Sequence, residues 1–312
     1  MTELILHHYA ASPLSEKIRI ILGIKKLSWS SVEIPNLPPK PDVIPLTGGY
    51  RRTPFLQIGA DVFCDSQLIL SELEHRYPSK LENHALTQII NNWCDTLFHP
   101  VVRVAVAGSS DTLPKDFLED RRKLFLNEYP NIESAKERIP HYKSQIRAQL
   151  VWADSLLTGS NKYLLGETAS AADASLFALT WFIKRRWEHG SEFLDEFQNI
   201  CHWEERVKKI GHGQAMKITS QEALDIAQQS EISYEQRSDV RDCKKLVVGD
   251  TVLIGPDSKT GEKKVEGTLH LIDQNRVGLL HKNDRVGTIC IHFPKTGYEV
   301  TLNNRRSESS KT

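Results

Sequence analysis

No two of the five cysteines stand in a Cys-x-x-Cys pair: Cys64, Cys94, Cys201, Cys243 and Cys290 are odd in number and far apart. That spacing excludes a disulfide framework and a zinc cluster, so no metal is expected. Net charge is lacking too, with 40 basic against 40 acidic side chains. A chain without charge imbalance is not built around nucleic-acid phosphates or an anionic membrane surface. Uninterrupted apolar runs never exceed a handful of residues, far short of the roughly 20 that a membrane-spanning helix needs. The opening stretch, MTELILHHYA, has no cationic region followed by a long apolar core, so no secretory signal is expected. Internal repeats and long low-complexity tracts are missing as well. These absences point to a cytoplasmic protein. What is present is apolar material: 39% of 312 residues, enough for the cores of two or three domains.

ELILHHY at 3–9 reads as a buried strand. PLSEKIRIILGI then turns to helical spacing, with Ile18, Ile20, Ile21 and Ile24 near one stripe. Residues 28–34 alternate as a second strand, which predicts a β-α-β start with parallel pairing. Five prolines and two glycines in PNLPPKPDVIPLTGGYRR mark a loop with at most a short helix. Two short runs at 55–58 and 61–64 flank a Gly59-Ala60 turn and predict a hairpin, after which Ser66 opens a helix that stops before Tyr77-Pro78. This order, over residues 1–78, is that of a thioredoxin-like α/β domain.

Residues 84–230 are helical in pattern. Ile89, Trp93, Leu97 and Val101 recur at four-residue spacing, and Ile146, Leu150, Ala153 and Leu157 do so again. Further helices are predicted over ASAADASLFALTWFIKRRW, over 199–210 and around 218–229, and no strand signal intrudes. An all-α domain at 84–230 follows, then a polar link. From Lys245 the texture changes. LVVGDTVLIG, KVEGTLHLID, RVGLLHKN, VGTICIHF and YEVTL are short runs separated by Gly, Pro, Asp and Asn. They predict a small SH3-like β-barrel domain at 245–302, with a disordered tail at 303–312.

Three separated motifs resemble the glutathione transferase superfamily over roughly residues 3–230. Ala11-Ser12-Pro13-Leu14-Ser15, between strand and helix, looks like the family's active-site turn. Thr53-Pro54, followed twelve residues after the proline by Asp65-Ser66, resembles its two-part glutathione cradle. YLLGETASAADASL, with Ser170 and Asp173 in capping positions, looks like the start of its second-domain helix. Order and spacing together carry the resemblance, and the C-terminal barrel lies outside it.

The resemblance implies a catalytic role for Ser12, whose hydroxyl would donate to the glutathione thiolate. Physical logic runs beside it: a serine before Pro13 is a natural helix N-cap, and a thiolate there faces the positive end of a helix dipole. Tyr9 and His8 are the rivals. Related enzymes often use a tyrosine near this point, but their position falls on His8 here, so both residues are expected to pack or to act from behind. With serine also at position 15, no internal disulfide can form in the turn. Thr53 and Pro54 would meet the cysteinyl part of glutathione through a cis proline. Ser66 at the helix start would receive the γ-glutamyl carboxylate, and Asp65, one methylene shorter than the family's usual Glu or Gln, the ammonium. Arg51 or Arg52 would pair with the glycine carboxylate. Phe98, Arg103 and Trp181 are candidates for an electrophile site, and Cys64 reads as a small buried hydrophobe.

The implied function is ionisation of glutathione, as co-substrate, for attack on an electrophilic small molecule, or peroxidase or lyase chemistry through the same thiolate. A non-catalytic binding or regulatory protein on the same fold is the alternative, and the added barrel favours it. A homodimer is implied as well. Nucleic acid is not expected as a partner: residues 241–312 hold 13 basic and 9 acidic side chains but no interleaved aromatic and basic stripe.

Overall fold

In the computed structural model, which describes residues 3–79, 83–159, 161–238, 246–258 and 262–303, the buried run Ile5–His8 forms strand β1. Cys243 and residues 304–312 of the expected tail lie outside the described residues. The chain divides into two compact units. One is built on sheet, from residues up to Ala10, Ser28–Arg76 and Ala215 onward; the other is helical, from Ala11–Leu27 and Tyr77–Gln214.

In the sheet unit, β2 (Ser28–Glu33) runs parallel to β1, and β3 (Phe55–Ile58) runs antiparallel to it. The antiparallel hairpin of β3 and β4 (Asp61–Cys64) turns at Gly59, whose φ of 61° is open to glycine at little cost. Strands β1, β3 and β4 are buried at every residue, which is why they read as apolar runs without alternation. Two helices, α2 (Ile44–Thr47) and α3 (Ser66–Arg76), belong to this unit.

The C-terminal runs form β7 (Thr251–Pro256), β8 (Val265–Ile272), β9 (Arg276–Asn283), β10 (Gly287–Pro294) and β11 (Tyr298–Leu302), each where its pattern predicts a strand. These strands continue the first sheet. β10 pairs in parallel with β4, setting Cys290 opposite Asp61 and His292 opposite Phe63. The full order is β11-β7-β8-β9-β10-β4-β3-β1-β2-β5, where β5 is Gln214–Lys217 and a two-residue strand β6 (Arg237–Ser238) pairs with β8. β5 corrects the strand-free reading of 84–230. All four of its residues are exposed, so no alternation marks it. One apolar core serves both halves: Ile5, Val32, Phe55 and Val62 share it with Val252, Ile254, Leu279 and Ile291, together with Leu224 of α11 (Ser220–Gln229).

Polar groups fasten the join. His292 Nε2 lies 2.7 Å from Asp61 Oδ1 in full burial, and the Ser233 N–H donates to Asp61 Oδ2 at 2.7 Å. Burial lowers the His292 pKa against the opposing pull of Asp61, so a neutral ring donates from Nε2. Asp61, Cys290 and His292 stand close enough together to hold an ion, and the hydrogen bond between Asp61 and His292 forms a clasp beside the Cys290 thiol. Its space depends on Gly278, where a Cβ would come within 3.1 Å of Cys290 Sγ and 3.2 Å of His292 Nδ1.

A second buried histidine makes stability depend on pH. His7 donates from Nε2 to Gln57 Oε1 at 2.8 Å and stacks on Phe55, while Gln57 Nε2 donates to the Ala223 carbonyl at 2.8 Å. Burial lowers the His7 pKa from 6.5 to about 4. The unfolded chain therefore binds a proton that the folded chain refuses, and stability is lost as pH falls from 6.5 toward 4. About 2 kcal/mol should disappear between pH 7 and pH 5 in urea unfolding, at about 1.4 kcal/mol per unit. His7→Gln should flatten that slope. An equal slope in the variant would clear His7 of responsibility.

The helical unit comprises α1 (Pro13–Ile24), α4 (His84–Gly108), α5 (Lys115–Phe125), α6 (Ile132–Glu137), α7 (Ile139–Leu156), α8 (Ala171–Arg186), α9 (Gly190–Leu194) and α10 (Gln198–Lys208). Helix α8 is buried on all sides from Ala171 to Thr180 and packs against α1 and α4, as a central helix must. On α7 the expected stripe of Ile146, Leu150, Ala153 and Leu157 is buried throughout. The first half of α4 departs from expectation. Ile89 is 63% exposed, and Thr87, Asn91 and Cys94 are buried instead. Ser175 Oγ of α8 donates to Asn91 Oδ1 at 2.5 Å, so short polar side chains make this helix contact. No described helix is long and apolar enough to cross a membrane.

The capping box that the sequence announced is larger than a cap. Asp173 is fully buried and accepts four hydrogen bonds. Oδ1 takes the Leu164 N–H at 2.9 Å and Trp203 Nε1–H at 2.8 Å; Oδ2 takes the Ser170 N–H at 2.9 Å and its hydroxyl at 3.0 Å.

Candidate functional site

Strand β4 ends at Cys64, and a single residue, Asp65, turns the chain into α3. Asp65 has a φ of 77°. The left-handed region costs a residue with a Cβ about 1–2 kcal/mol, and aspartate eases this by bonding locally. Its Oδ1 accepts the Gln67 N–H at 2.9 Å. Its Oδ2 accepts Tyr298 Oη–H at 2.9 Å, from the first residue of β11. The Tyr50 hydroxyl stands 2.9 Å from Tyr298 Oη. Burial first, and the Asp65 carboxylate second, push both phenols well above the usual range, so both keep their protons. Tyr50 donates to Tyr298, and Tyr298 donates to Asp65. Ser66 follows as the first residue of α3, 4% exposed, where the leading N–H groups of the helix gather.

The other side of this corner is the loop entering β3. Phe55 pairs with Cys64, which sets Pro54 and Asp65 at the same open end of the hairpin. The Thr53–Pro54 peptide is cis, as the resemblance implied. Lys40 Nζ donates to Thr53 Oγ1 at 3.3 Å and to the Arg51 carbonyl at 3.4 Å. Arg52 forks onto Glu262: Nε lies 3.1 Å from both carboxylate oxygens and Nη2 lies 2.6 Å from Oε2. Nη2 also donates to Ser258 Oγ at 3.3 Å. The hairpin register and the Tyr50–Tyr298–Asp65 chain thus bring Arg52, Thr53, Pro54, Asp65 and Ser66 to one corner of the sheet unit.

The remaining expected residues are placed as follows. His8 Nε2 lies 2.9 Å from Ser31 Oγ, and the ring meets Trp29 edge-on. Tyr9 follows β1 and is partly exposed. Cys64 is wholly buried and its thiol is pushed well above the usual range by burial, so it is no nucleophile at neutral pH. In the helical unit, Ser12 caps α1: Oγ accepts the Ser15 N–H at 3.2 Å, with Pro13 in the first turn. The cap uses an oxygen lone pair, and the hydroxyl proton is left to donate. Phe98 packs edge-on against Phe125 at 5.9 Å, and Arg103 pairs with Glu128 at 2.8 Å and lies over Tyr142. Both therefore reach residues 125–128. Trp181, on α8, lies under Arg185.

Sequence reasoning missed Tyr50, Tyr298 and Glu262. Their partners lie 248, 233 and 210 residues away, and each sits in a run that reads as an ordinary loop or strand.

Residues 6–81 match the glutathione S-transferase N-terminal domain, and residues 115–212 match the glutathione S-transferase C-terminal domain. A GST-like protein from Pseudomonas syringae is 30% identical, with a TM-score of 0.77, over 97% of this chain and 100% of that one. A glutathione S-transferase from Methylobacillus flagellatus with GSH bound is 16% identical, with a TM-score of 0.51, over 67% of this chain and 99% of its own. Glutathione transferase GSTFuA3 from Phanerochaete chrysosporium is 18% identical, with a TM-score of 0.54, over 67% and 97%. Among curated proteins, none matches the chain at a significant level. The chain belongs to the glutathione transferase superfamily. Within it, the likeness to the Pseudomonas syringae protein extends through the C-terminal strands, whereas the two transferases leave about a third of the chain uncovered.

Proposed function

We propose that the protein is a glutathione-dependent enzyme, one that ionises glutathione for attack on an electrophilic small molecule. Asp65 carries the reading. Its left-handed backbone and its carboxylate, held from two sides by the Gln67 N–H and Tyr298, stand directly ahead of the α3 N-terminus. Each carboxylate oxygen keeps a further lone pair for an ammonium group, and the helix N-terminus suits the neighbouring carboxylate of a γ-glutamyl end. The missing methylene of Asp65 matters less once a tyrosine from β11 holds its rotamer. Thr53 meets the cysteinyl part, and the family resemblance of the Ser12 turn supports its hydroxyl as the donor to the thiolate. Peroxidase or lyase chemistry would use the same thiolate.

Phe98 and Arg103 are retained as electrophile-site candidates, with Trp181. Leu86 and Ile89 on α4 and Trp152 and Leu156 on α7 expose apolar surface, which supports a homodimer. Four described cysteines, all free, suit the reducing cytoplasm. A second reading, a non-catalytic binding protein, draws support from the guanidinium of Arg52, which Glu262 already holds.

The test is calorimetric titration with glutathione, followed by the ultraviolet absorbance of its thiolate against pH. Glutathione should bind, and its thiol should titrate about one to two units below the free value, as a hydroxyl donor and a helix dipole can supply. Binding without a lowered thiol pKa selects the second reading. Absence of binding rejects the glutathione-dependent enzyme and likewise selects the second reading.

A further inference from the structure

The Arg52–Glu262 pair bears on which thiol the cradle accepts. Both Glu262 oxygens take N–H groups of one guanidinium, the fork geometry that makes arginine–carboxylate pairs strong. The Glu262 side chain is only 6% exposed, so water does little to screen its charge. A ligand carboxylate approaching Arg52 has two routes. Displacing Glu262 breaks the fork that holds a buried carboxylate, and sitting beside it sets two like charges together. Both are unfavourable. An uncharged amide avoids the repulsion. Glu262 lies in the strand-rich C-terminal region, beyond the two family matches at 6–81 and 115–212.

We propose that Glu262 is a specificity-determining residue: by occupying Arg52 it makes the cradle select a γ-glutamyl thiol whose C-terminal end is uncharged. This rests on the reading of the cradle as a glutathione site with Arg52 at the glycine end. Tyr298 acts at the opposite end, on Asp65, and belongs to the positioning of the γ-glutamyl group.

The experiment compares glutathione with its C-terminal amide by calorimetry on the full chain. Wild type should bind the amide at least as tightly as glutathione. Glu262→Gln should move the preference toward glutathione by about ten-fold or more, since Arg52 then gains a charged partner. Tyr298→Phe should weaken both thiols alike and leave their ratio unchanged. A wild-type preference for glutathione of about ten-fold overturns the proposal, as does an unchanged ratio in Glu262→Gln. Should that variant not fold, the wild-type ratio decides alone. Binding of neither thiol to wild type rejects the glutathione reading itself and this inference with it.

Discussion

Asp173→Ala is expected to cost the helical unit about 3–5 kcal/mol, a large share of the roughly 5–15 kcal/mol that holds a typical domain together. The reason is the count of donors left behind. The Leu164 N–H, the Ser170 N–H and Trp203 Nε1–H all lose their acceptor. Trp203 is wholly buried, and a buried donor without a partner costs about 1–3 kcal/mol. The first turn of α8 also loses its acidic group, about 0.3–1 kcal/mol more. Water entering the cavity offsets part of the sum. Asp173→Asn should fall in between, because its oxygen can serve Leu164 and Trp203 while its NH₂ is set against the Ser170 N–H. Urea unfolding followed by tryptophan fluorescence measures both. A loss below about 1 kcal/mol in Asp173→Ala would mean that another acceptor replaces the carboxylate, and that Asp173 is a cap of ordinary weight.

What the sequence made legible is what its neighbours decide. Ser12 before Pro13, the Gly59-Ala60 turn and the pairing of Ser170 with Asp173 each close over a few residues, so their patterns survive in one dimension. The C-terminal strands were legible for the same reason, since alternation and turn residues are local. Their attachment to β4 was not. A parallel pairing brings together Asp61 and His292, 231 residues apart, and neither strand carries a mark of it. Asp61 reads as a polar residue beside a turn and is in fact wholly buried. Ile89 failed for another reason: four-residue spacing identifies a helix but not its buried face, and on α4 that face is polar at Thr87 and Asn91. At the candidate site, Asp65 and Ser66 were legible as a helix start. The tyrosine that holds Asp65 and the glutamate that holds Arg52 come from beyond residue 260, where only the folded sheet brings them near.

Ser12→Ala should lower turnover roughly 10- to 150-fold while changing glutathione affinity much less. A hydrogen bond to a charged group contributes roughly 1.5–3 kcal/mol, and the thiolate is charged only after the proton leaves, so most of the loss belongs to kcat. The same residue caps α1 through the Ser15 N–H, and the variant should also lose about 1 kcal/mol of stability. These two effects separate cleanly. Loss of the cap lowers the unfolding midpoint without touching the thiol, whereas loss of the donor raises the pKa of bound glutathione in a protein that is still folded. Tyr9→Phe is the comparison, since Tyr9 follows β1 and is the rival hydroxyl. It should change turnover only a few-fold and leave the bound thiol where it was. The opposite pattern, with ionisation abolished in Tyr9→Phe and intact in Ser12→Ala, would transfer the catalytic role to Tyr9. If wild type and both variants hold glutathione only as the thiol, no hydroxyl in this turn acts on the sulfur, and the cradle serves binding alone.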